Sequence, residues 1–298
     1  MDGQRRFEQG VDGKTMSYRG RIAPTPSGFL HRGHARTFFT AYQRAQERRG
    51  EVLLRVEDLD PLRSKDTFVE GALEDLRWLG LCWDHGEGPG TQVGVFYQSR
   101  RTCLYREALE TLIDSGLVYR CYCSRKDIQR SASAPHQGDE GPLYSGTCRA
   151  NLGRSSLKVN ERSACWRFRV PDGRRVEFVD GRCGLTRYVA GKDFSDFVVW
   201  RQDDVPSYQL AVTVDDHLME MTEVVRGEDL LVSTARQLLL YEALGWVAPE
   251  FYHCELVTDA AGERLSKRSQ AMGIRELREQ GWTAAQVLDL GLETRSDR

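Results

Sequence analysis

The chain has 298 residues, 40% of them hydrophobic, and balances 42 basic against 44 acidic side chains for a net charge of −2. That length can bury a large core with room for an insertion or a second domain. No apolar run approaches the ~20 residues that cross a bilayer and no signal peptide opens the chain, so membrane-spanning and exported classes are set aside. Eight cysteines without an export signal read as thiols of a reducing cytoplasm, not as a disulfide framework.

Residues 1–17, polar and Gly-rich, are expected to form a flexible leader. The run RIAPTPSGFLHRGH at 21–34 then reads as the end of a buried strand, a tight turn built on Pro24, Pro26 and Gly28, and a helix opening near His31. Such a turn aims backbone N–H groups and a helix N-terminus at the space above it, which suits an anion such as a triphosphate. His31 and His34 share one face of the first turn. Gly33 between them is costly in a helix unless something must approach the backbone closely. Val52-Leu53-Leu54-Arg55-Val56 predicts an inner strand ending in Glu57 and Asp58, where carboxylates would line the crevice of an open α/β sheet. Ser64 is placed to cap a helix whose apolar residues Phe68, Val69, Ala72, Leu73, Leu76 and Leu79 keep helical spacing up to Gly80. A second helix is expected over 100–113, stopping at Gly116. Strand and helix alternate so far, the pattern of a doubly wound sheet.

From Leu117 the text turns into short β runs and turns, predicting a β-rich insertion over 117–192 between catalytic-domain halves 18–116 and 193–298. The α/β pattern resumes with strand candidates Phe197–Trp200, 209–214, 224–225 and 254–257, and a helix over 233–244. A loop carrying Arg264, Ser266, Lys267 and Arg268 (RLSKR) and an amphipathic helical stretch, 274–293, follow. Lys267 is a mobile point charge suited to phosphate oxygens. Residues 149–187 hold ten basic against four acidic side chains, which beside these motifs favours a nucleic-acid footprint. Cys121-Tyr122-Cys123 differs from the scattered Cys82, Cys103, Cys165, Cys183 and Cys254. With Tyr144 and Cys148 it offers three thiolates and one oxygen, enough for a tetrahedral structural zinc site, with His136 a less favoured fourth ligand.

HRGH and RLSKR together resemble the HIGH and KMSKS signatures of class I aminoacyl-tRNA synthetases. The longer R-x-A-P-T-P-S-G-x-L-H-x-G-H resembles the glutamyl branch of that class. Glutaminyl relatives carry R-x-P-P-E-P-N-G, so Ala23 and Thr25 favour glutamate. The resemblance implies a Rossmann-like parallel sheet and formation of an aminoacyl-adenylate from ATP, with Mg²⁺ accompanying the nucleotide. His31, His34 and Lys267 would be catalytic, with Gly33 and Ser266 also holding ATP. Arg21 would read the glutamate side-chain carboxylate beside Ala23 and Thr25, Glu57 would hold the ammonium, and Tyr208 and Arg226 would complete the pocket. Arg32 and Arg264 depart from the family strings but leave the charged positions intact.

The C-x-C…Y-x-x-x-C pattern and the roughly thirty residues after RLSKR, too few for an anticodon-binding module, resemble the glutamyl-Q tRNA(Asp) synthetase subgroup. That resemblance implies activation of L-glutamate and its transfer to the queuosine base at the wobble position of tRNA(Asp) by a cytoplasmic monomer. Three alternatives are weighed. One is a discrete glutamyl-tRNA synthetase charging the 3′ end. Another is a catalytically silent RNA-binding paralogue, which the intact His31, His34 and Lys267 oppose. The third is a small nucleotidylyltransferase, which gives no reason for Arg21, Tyr208 and the cysteines.

Overall fold

The computed structural model describes residues 17–84, 95–124, 126–128, 143–149, 164–257 and 272–289; the leader 1–16, His136 and the RLSKR stretch lie outside them. A parallel sheet begins with β1 (Arg19–Ile22), which pairs with β2 (Glu51–Val56) in the register Arg21↔Leu53, and β3 (Phe96–Tyr97) adds to the far side of β2. The connection from β1 to β2 is α1 (Arg32–Glu47), which buries Ala35, Phe38, Ala41 and Ala45 at helical spacing. The next helix, α2 (Asp66–Trp78), starts differently from the pattern. Lys65, not Ser64, occupies the N-cap without a side-chain bond, and the Ser64 N–H is spent on the Asp60 carbonyl at 2.9 Å. It closes as expected, with Gly80 at φ +75°, a conformation that side chains resist. A short 3₁₀ turn, Gln98–Arg101, leads into α3 (Thr102–Asp114).

Beyond Leu117 the strands sort into two sheets. β4 (Val118–Cys121), β5 (Cys165–Phe168) and β8 (Phe197–Trp200) form an antiparallel sheet in that order. The strand at 197–200, expected in the resumed parallel pattern, thus pairs with β5. The hairpin β6 (Arg175–Asp180) and β7 (Gly184–Val189) instead joins β9 (Glu223–Gly227) and β10 (Glu250–Cys254) in the order β7-β6-β10-β9.

Residues 209–214, expected as a strand, belong to a helix, α4 (Tyr208–Leu218). The helix is buried on every side from Leu210 to Asp216, so its apolar run carries no polar face to reveal the period. Ser207 caps it, accepting from the Leu210 N–H at 3.4 Å. α5 (Leu231–Leu244) ends on Gly245 at φ +72°. The stretch expected as continuous helix from 274 divides into α6 (Ile274–Glu279) and α7 (Ala284–Asp289), separated by Gly281 at φ +86°.

Among the described residues, two large apolar cores hold these layers. Ile22, Leu54, Leu76, Ile274 and Val287 pack under the first sheet, and Tyr105, Leu112, Phe168, Phe194, Leu210 and Leu240 between α3, α4, α5 and the antiparallel sheet. Each such side chain contributes roughly 1.5–3 kcal/mol by leaving water. The two parallel systems meet where the Thr222 N–H donates to the Arg19 carbonyl at 2.9 Å and the Arg19 N–H to Thr222 Oγ1 at 2.8 Å. From β1 the strand order runs out through β2, and from β9 it runs the opposite way through β10. Strand order therefore reverses between β1 and β9, and a crevice opens at their carboxyl ends, where doubly wound sheets bind ligands.

Candidate active site

The turn after β1 sits at this crevice, fastened to the end of β2 by the Glu57 N–H donating to the Pro24 carbonyl at 2.9 Å. His31 is the N-cap of α1. Its Nδ1 accepts from the Gly33 N–H at 3.1 Å, while its own N–H donates to His34 Nδ1 at 3.1 Å. The two imidazoles thus form a reciprocal cap, their ring centroids 3.8 Å apart. With Nδ1 accepting in both rings, the neutral proton resides on Nε2, so each Nε2 is a donor. Gly33 gains a local explanation as well. A Cβ there would lie 3.0 Å from His31 Cε1, so a side chain would push the capping ring aside.

Behind the histidines lies a buried layer of arginines. Arg21, on β1, donates from Nη1 to the Val225 carbonyl at 2.8 Å and approaches Asp216 Oδ1 with Nε at 3.4 Å. Arg55, on β2 and 0% exposed, donates to the same Asp216 oxygen at 2.7 Å and to Glu57 Oε1 at 3.2 Å. Burial holds the Glu57 carboxyl above its usual range, and the nearby Arg55 and Arg21 oppose that only in part. Thr25 Oγ1 lies 3.5 Å from Glu57 Oε2.

Arg226, on β9, is 4% exposed and is held by neutral groups. Nε donates to His253 Nε2 at 3.2 Å, Nη2 to Thr234 Oγ1 at 2.7 Å, and Nη1 to the Tyr208 hydroxyl at 3.4 Å. Burial and the neighbouring Arg226 push His253 down to about 4, so the ring is neutral at physiological pH. An arginine can only donate, so His253 Nε2 accepts, and its Nδ1–H donates to Asp180 Oδ2 at 2.6 Å.

Arg21, Ala23, Thr25, His31, Gly33, His34, Glu57, Tyr208 and Arg226 all line one cleft of about 390 Å³. Residues far apart in sequence therefore share one cavity. Lys267 and Ser266 are outside the described residues. The described residues flanking that stretch border the same cleft: Val257 lines it, and Gly273 bridges to His31 with the Ile274 N–H donating to the Leu30 carbonyl at 2.9 Å. Sequence reasoning missed Arg55, Asp180, Asp216, Thr234 and His253. The adjacent Asp215-Asp216 pair, directly after the 209–214 run expected as a strand, was the available signal.

Three cysteines, Cys121, Cys123 and Cys148, gather at the end of the antiparallel sheet. The Sγ atoms of Cys121, Cys123 and Cys148 all lie within 4.8 Å of one another. The Tyr144 hydroxyl is 3.4 Å from Cys121 Sγ and 3.7 Å from Cys123 Sγ, and accepts from the Cys148 N–H at 2.8 Å. All the cysteines are free thiols. Three soft donors and an oxygen so close together fit a tetrahedral metal of zinc type.

Among the described residues, the basic stretch is more internally neutralised than its composition suggests. Arg149 pairs with Asp196 and Asp172, Arg174 with Glu242, Arg182 with Glu228 and Arg187 with Glu177, while Arg169 and Arg175 are exposed.

Comparison with known proteins agrees with this arrangement. The family model described as tRNA synthetases class I (E and Q), catalytic domain, matches residues 17–290. The chain is 46% identical over 271 residues to a glutamyl-Q tRNA(Asp) synthetase of Nitratidesulfovibrio vulgaris, covering 90% of this chain and 83% of that one. It is 40% identical over 265 residues to a glutamate–tRNA ligase 2 of Syntrophus aciditrophicus, covering 88% of this chain but 54% of that one. Among solved structures, a glutamate tRNA ligase of Elizabethkingia meningosepticum in complex with its amino acid superposes with a TM-score of 0.71 at 29% identity, covering 89% of this chain. The chain spans about half of that ligase, 53% of its length. No helix among the described residues is long and apolar enough to cross a membrane. The chain belongs to the class I aminoacyl-tRNA synthetases of the glutamyl and glutaminyl branch, and is a ligase.

Proposed function

We propose that this enzyme activates L-glutamate with ATP and transfers it to queuosine at the wobble position of tRNA(Asp). The observation that carries the first half is the meeting of Arg21, Glu57 and Arg226 with His31 and His34 in one cleft. Two guanidiniums and a carboxylate supply counter-charges for the carboxylates and ammonium of glutamate. The α-carboxylate oxygen of glutamate attacks the α-phosphorus of ATP, the bond to the bridging oxygen breaks, and pyrophosphate leaves with that electron pair. Little covalent chemistry falls to the protein here. Positioning and charge neutralisation carry the step. The Nε2–H groups of His31 and His34 serve as donors to phosphate oxygens at the helix N-terminus, and Gly33 holds the capping ring that fixes their orientation. Lys267 and Ser266 complete the nucleotide site in this reading, which the position of Val257 and Gly273 beside the cleft supports. Mg²⁺ bound with ATP supplies charge neutralisation of the phosphates.

The second half rests on the names of the relatives. Three relatives matched over more than four fifths of their own length are glutamyl-Q tRNA(Asp) synthetases, at 46%, 46% and 44% identity. Cys121, Cys123, Cys148 and Tyr144 would hold zinc as a structural cross-link in the region 117–192, the β-rich insertion of this reading. We read the protein as a cytoplasmic monomer. The test is to incubate it with ATP, labelled glutamate and 3′-blocked tRNA from cells able or unable to make queuosine. Label appears only on queuosine-containing tRNA(Asp) if the reading holds. Label requiring an open 3′ end and ignoring queuosine assigns the protein to ordinary tRNA charging, and the absence of any glutamate-dependent pyrophosphate exchange assigns it to a silent paralogue.

A further inference from the structure

Arg226 is a nearly fully buried cation, 4% exposed, and among the described residues no carboxylate pairs with it. Leaving a buried charge uncompensated is costly, so such a group is either neutralised by a ligand or held in place by groups that do not neutralise it. Both conditions meet here. Its neighbour Arg21 approaches Asp216 at 3.4 Å and shares that carboxylate with Arg55, which binds it at 2.7 Å, so Arg21 has an acid beside it but keeps part of its charge for a ligand. Arg226 instead rests its Nε on the lone pair of His253 and its Nη2 on a threonine hydroxyl. The carboxylate nearest in this chain of contacts, Asp180, stands one imidazole further back.

Asp180 is itself fixed in place. Its Oδ1 accepts from the backbone N–H groups of Arg182 at 3.0 Å and Cys183 at 2.8 Å, and its Oδ2 takes the His253 backbone N–H at 3.1 Å and the ring Nδ1–H at 2.6 Å. Those contacts sit at the turn of the β6–β7 hairpin and on β10; β6 and β10 pair in parallel at Asp180↔Phe251. The carboxylate therefore sets both the tautomer and the ring orientation of His253, as carboxylates do for imidazoles that serve as ligands. In that tautomer Nε2 offers only a lone pair, which lies 3.2 Å from Arg226 Nε and 3.0 Å from Thr234 Oγ1.

We propose that Asp180 and His253 are positioning residues for substrate: they hold the Arg226 guanidinium toward the cleft while leaving its charge to be neutralised by a carboxylate of the amino acid. An unshared Asp–Arg pair would orient the guanidinium equally well but would offset more of the attraction for the substrate anion. The interposed neutral ring separates orientation from neutralisation. The proposal rests on the glutamate-activating reading given above and extends it to two side chains that touch neither substrate.

Glutamate-dependent exchange of pyrophosphate into ATP by the full-length protein tests it, with KM measured separately for L-glutamate and for ATP. His253→Asn keeps a donor near Asp180 but removes the acceptor for Arg226. His253→Gln places an amide oxygen where Nε2 lies. Asp180→Asn removes the charge while keeping an oxygen for the backbone N–H groups. The expected result is a rise of about tenfold or more in the glutamate KM of His253→Asn, with ATP KM within twofold and His253→Gln substantially restored. Asp180→Asn shifts the same parameter in the same direction by a smaller factor. Glutamate KM unchanged in both His253→Asn and Asp180→Asn overturns the proposal. So does a proportional loss for glutamate and ATP that His253→Gln does not rescue, the signature of a merely structural role. An unsubstituted enzyme without glutamate-dependent exchange would instead overturn the functional reading itself.

Discussion

Arg21 and Asp216 meet in the crevice although 195 residues separate them, with Nε 3.4 Å from Oδ1. Asp216 lies on the buried helix α4 and also takes Arg55 Nη1, so one carboxylate fixes two cations from adjacent strands. Arg21 is thereby aimed along the floor of the cleft by a partner outside the sequence motif. Replacing it tests the assignment of that floor to a substrate carboxylate. Arg21→Lys keeps the charge but loses the planar fork, so kcat/KM for glutamate in pyrophosphate exchange should fall by about 10- to 100-fold, chiefly through KM. An unchanged KM would place the side-chain carboxylate elsewhere.

Glu57 gives a pH dependence whose sign follows from its environment. Burial raises its pKa, so on acidification it gains a proton before an ordinary carboxylate would. Only the ionised form attracts an ammonium. The glutamate KM should therefore climb on acidification, and begin to do so at a higher pH than an ordinary carboxylate would set. Glu57→Gln should raise KM at neutral pH and flatten the acidic limb. Parallel acidic limbs in both proteins would remove Glu57 from ammonium binding.

Among the described residues, Arg55 is the one cation facing Asp215, Asp216 and Glu57 together, at 3.8, 2.7 and 3.2 Å. Arg55→Met keeps the bulk and removes the charge, which leaves buried acids without their counter-ion. The expected loss is about 3–5 kcal/mol in chemical denaturation. A loss below about 1 kcal/mol would mean that Arg101, Gln98 and Tyr105, which also bind Asp215, carry the compensation.

Much of this arrangement was legible in the chain itself, for physical reasons. The turn at 23–30 depends on local residue types, and the strand over Val52-Leu53-Leu54-Arg55-Val56 on a simple apolar run, so both could be read. α4 could not, because a helix buried all round loses the polar face that reports its period. The strand at 197–200 was visible as a strand, but its partner was not, since pairing is a long-range choice. The described motif residues line one cleft together, whereas the residues that orient them did not announce themselves. Asp216, His253 and Asp180 act through contacts 27 to 195 residues distant, such as Arg226 with His253 and Arg21 with Asp216.

The thiol cluster makes a compositional prediction. Protein purified without chelator should carry about one zinc per chain by elemental analysis, and Cys123→Ala should lose most of it and melt at a lower temperature. Cys183→Ala, an exposed thiol outside the cluster, should keep the metal. Equal metal content in both variants would contradict the ligand assignment. Tyr144→Phe separates the oxygen from the thiolates: weakened zinc retention is expected if the phenol is a ligand.

The most direct measurement is the identity of the nucleoside that carries the amino acid. tRNA(Asp) from queuosine-replete cells is reacted with the enzyme, ATP and glutamate, digested to nucleosides under mildly acidic conditions, and resolved by mass spectrometry. Glutamate esterified to queuosine is the predicted product. Glutamate recovered on the 3′-terminal adenosine, with queuosine unmodified, would contradict the account.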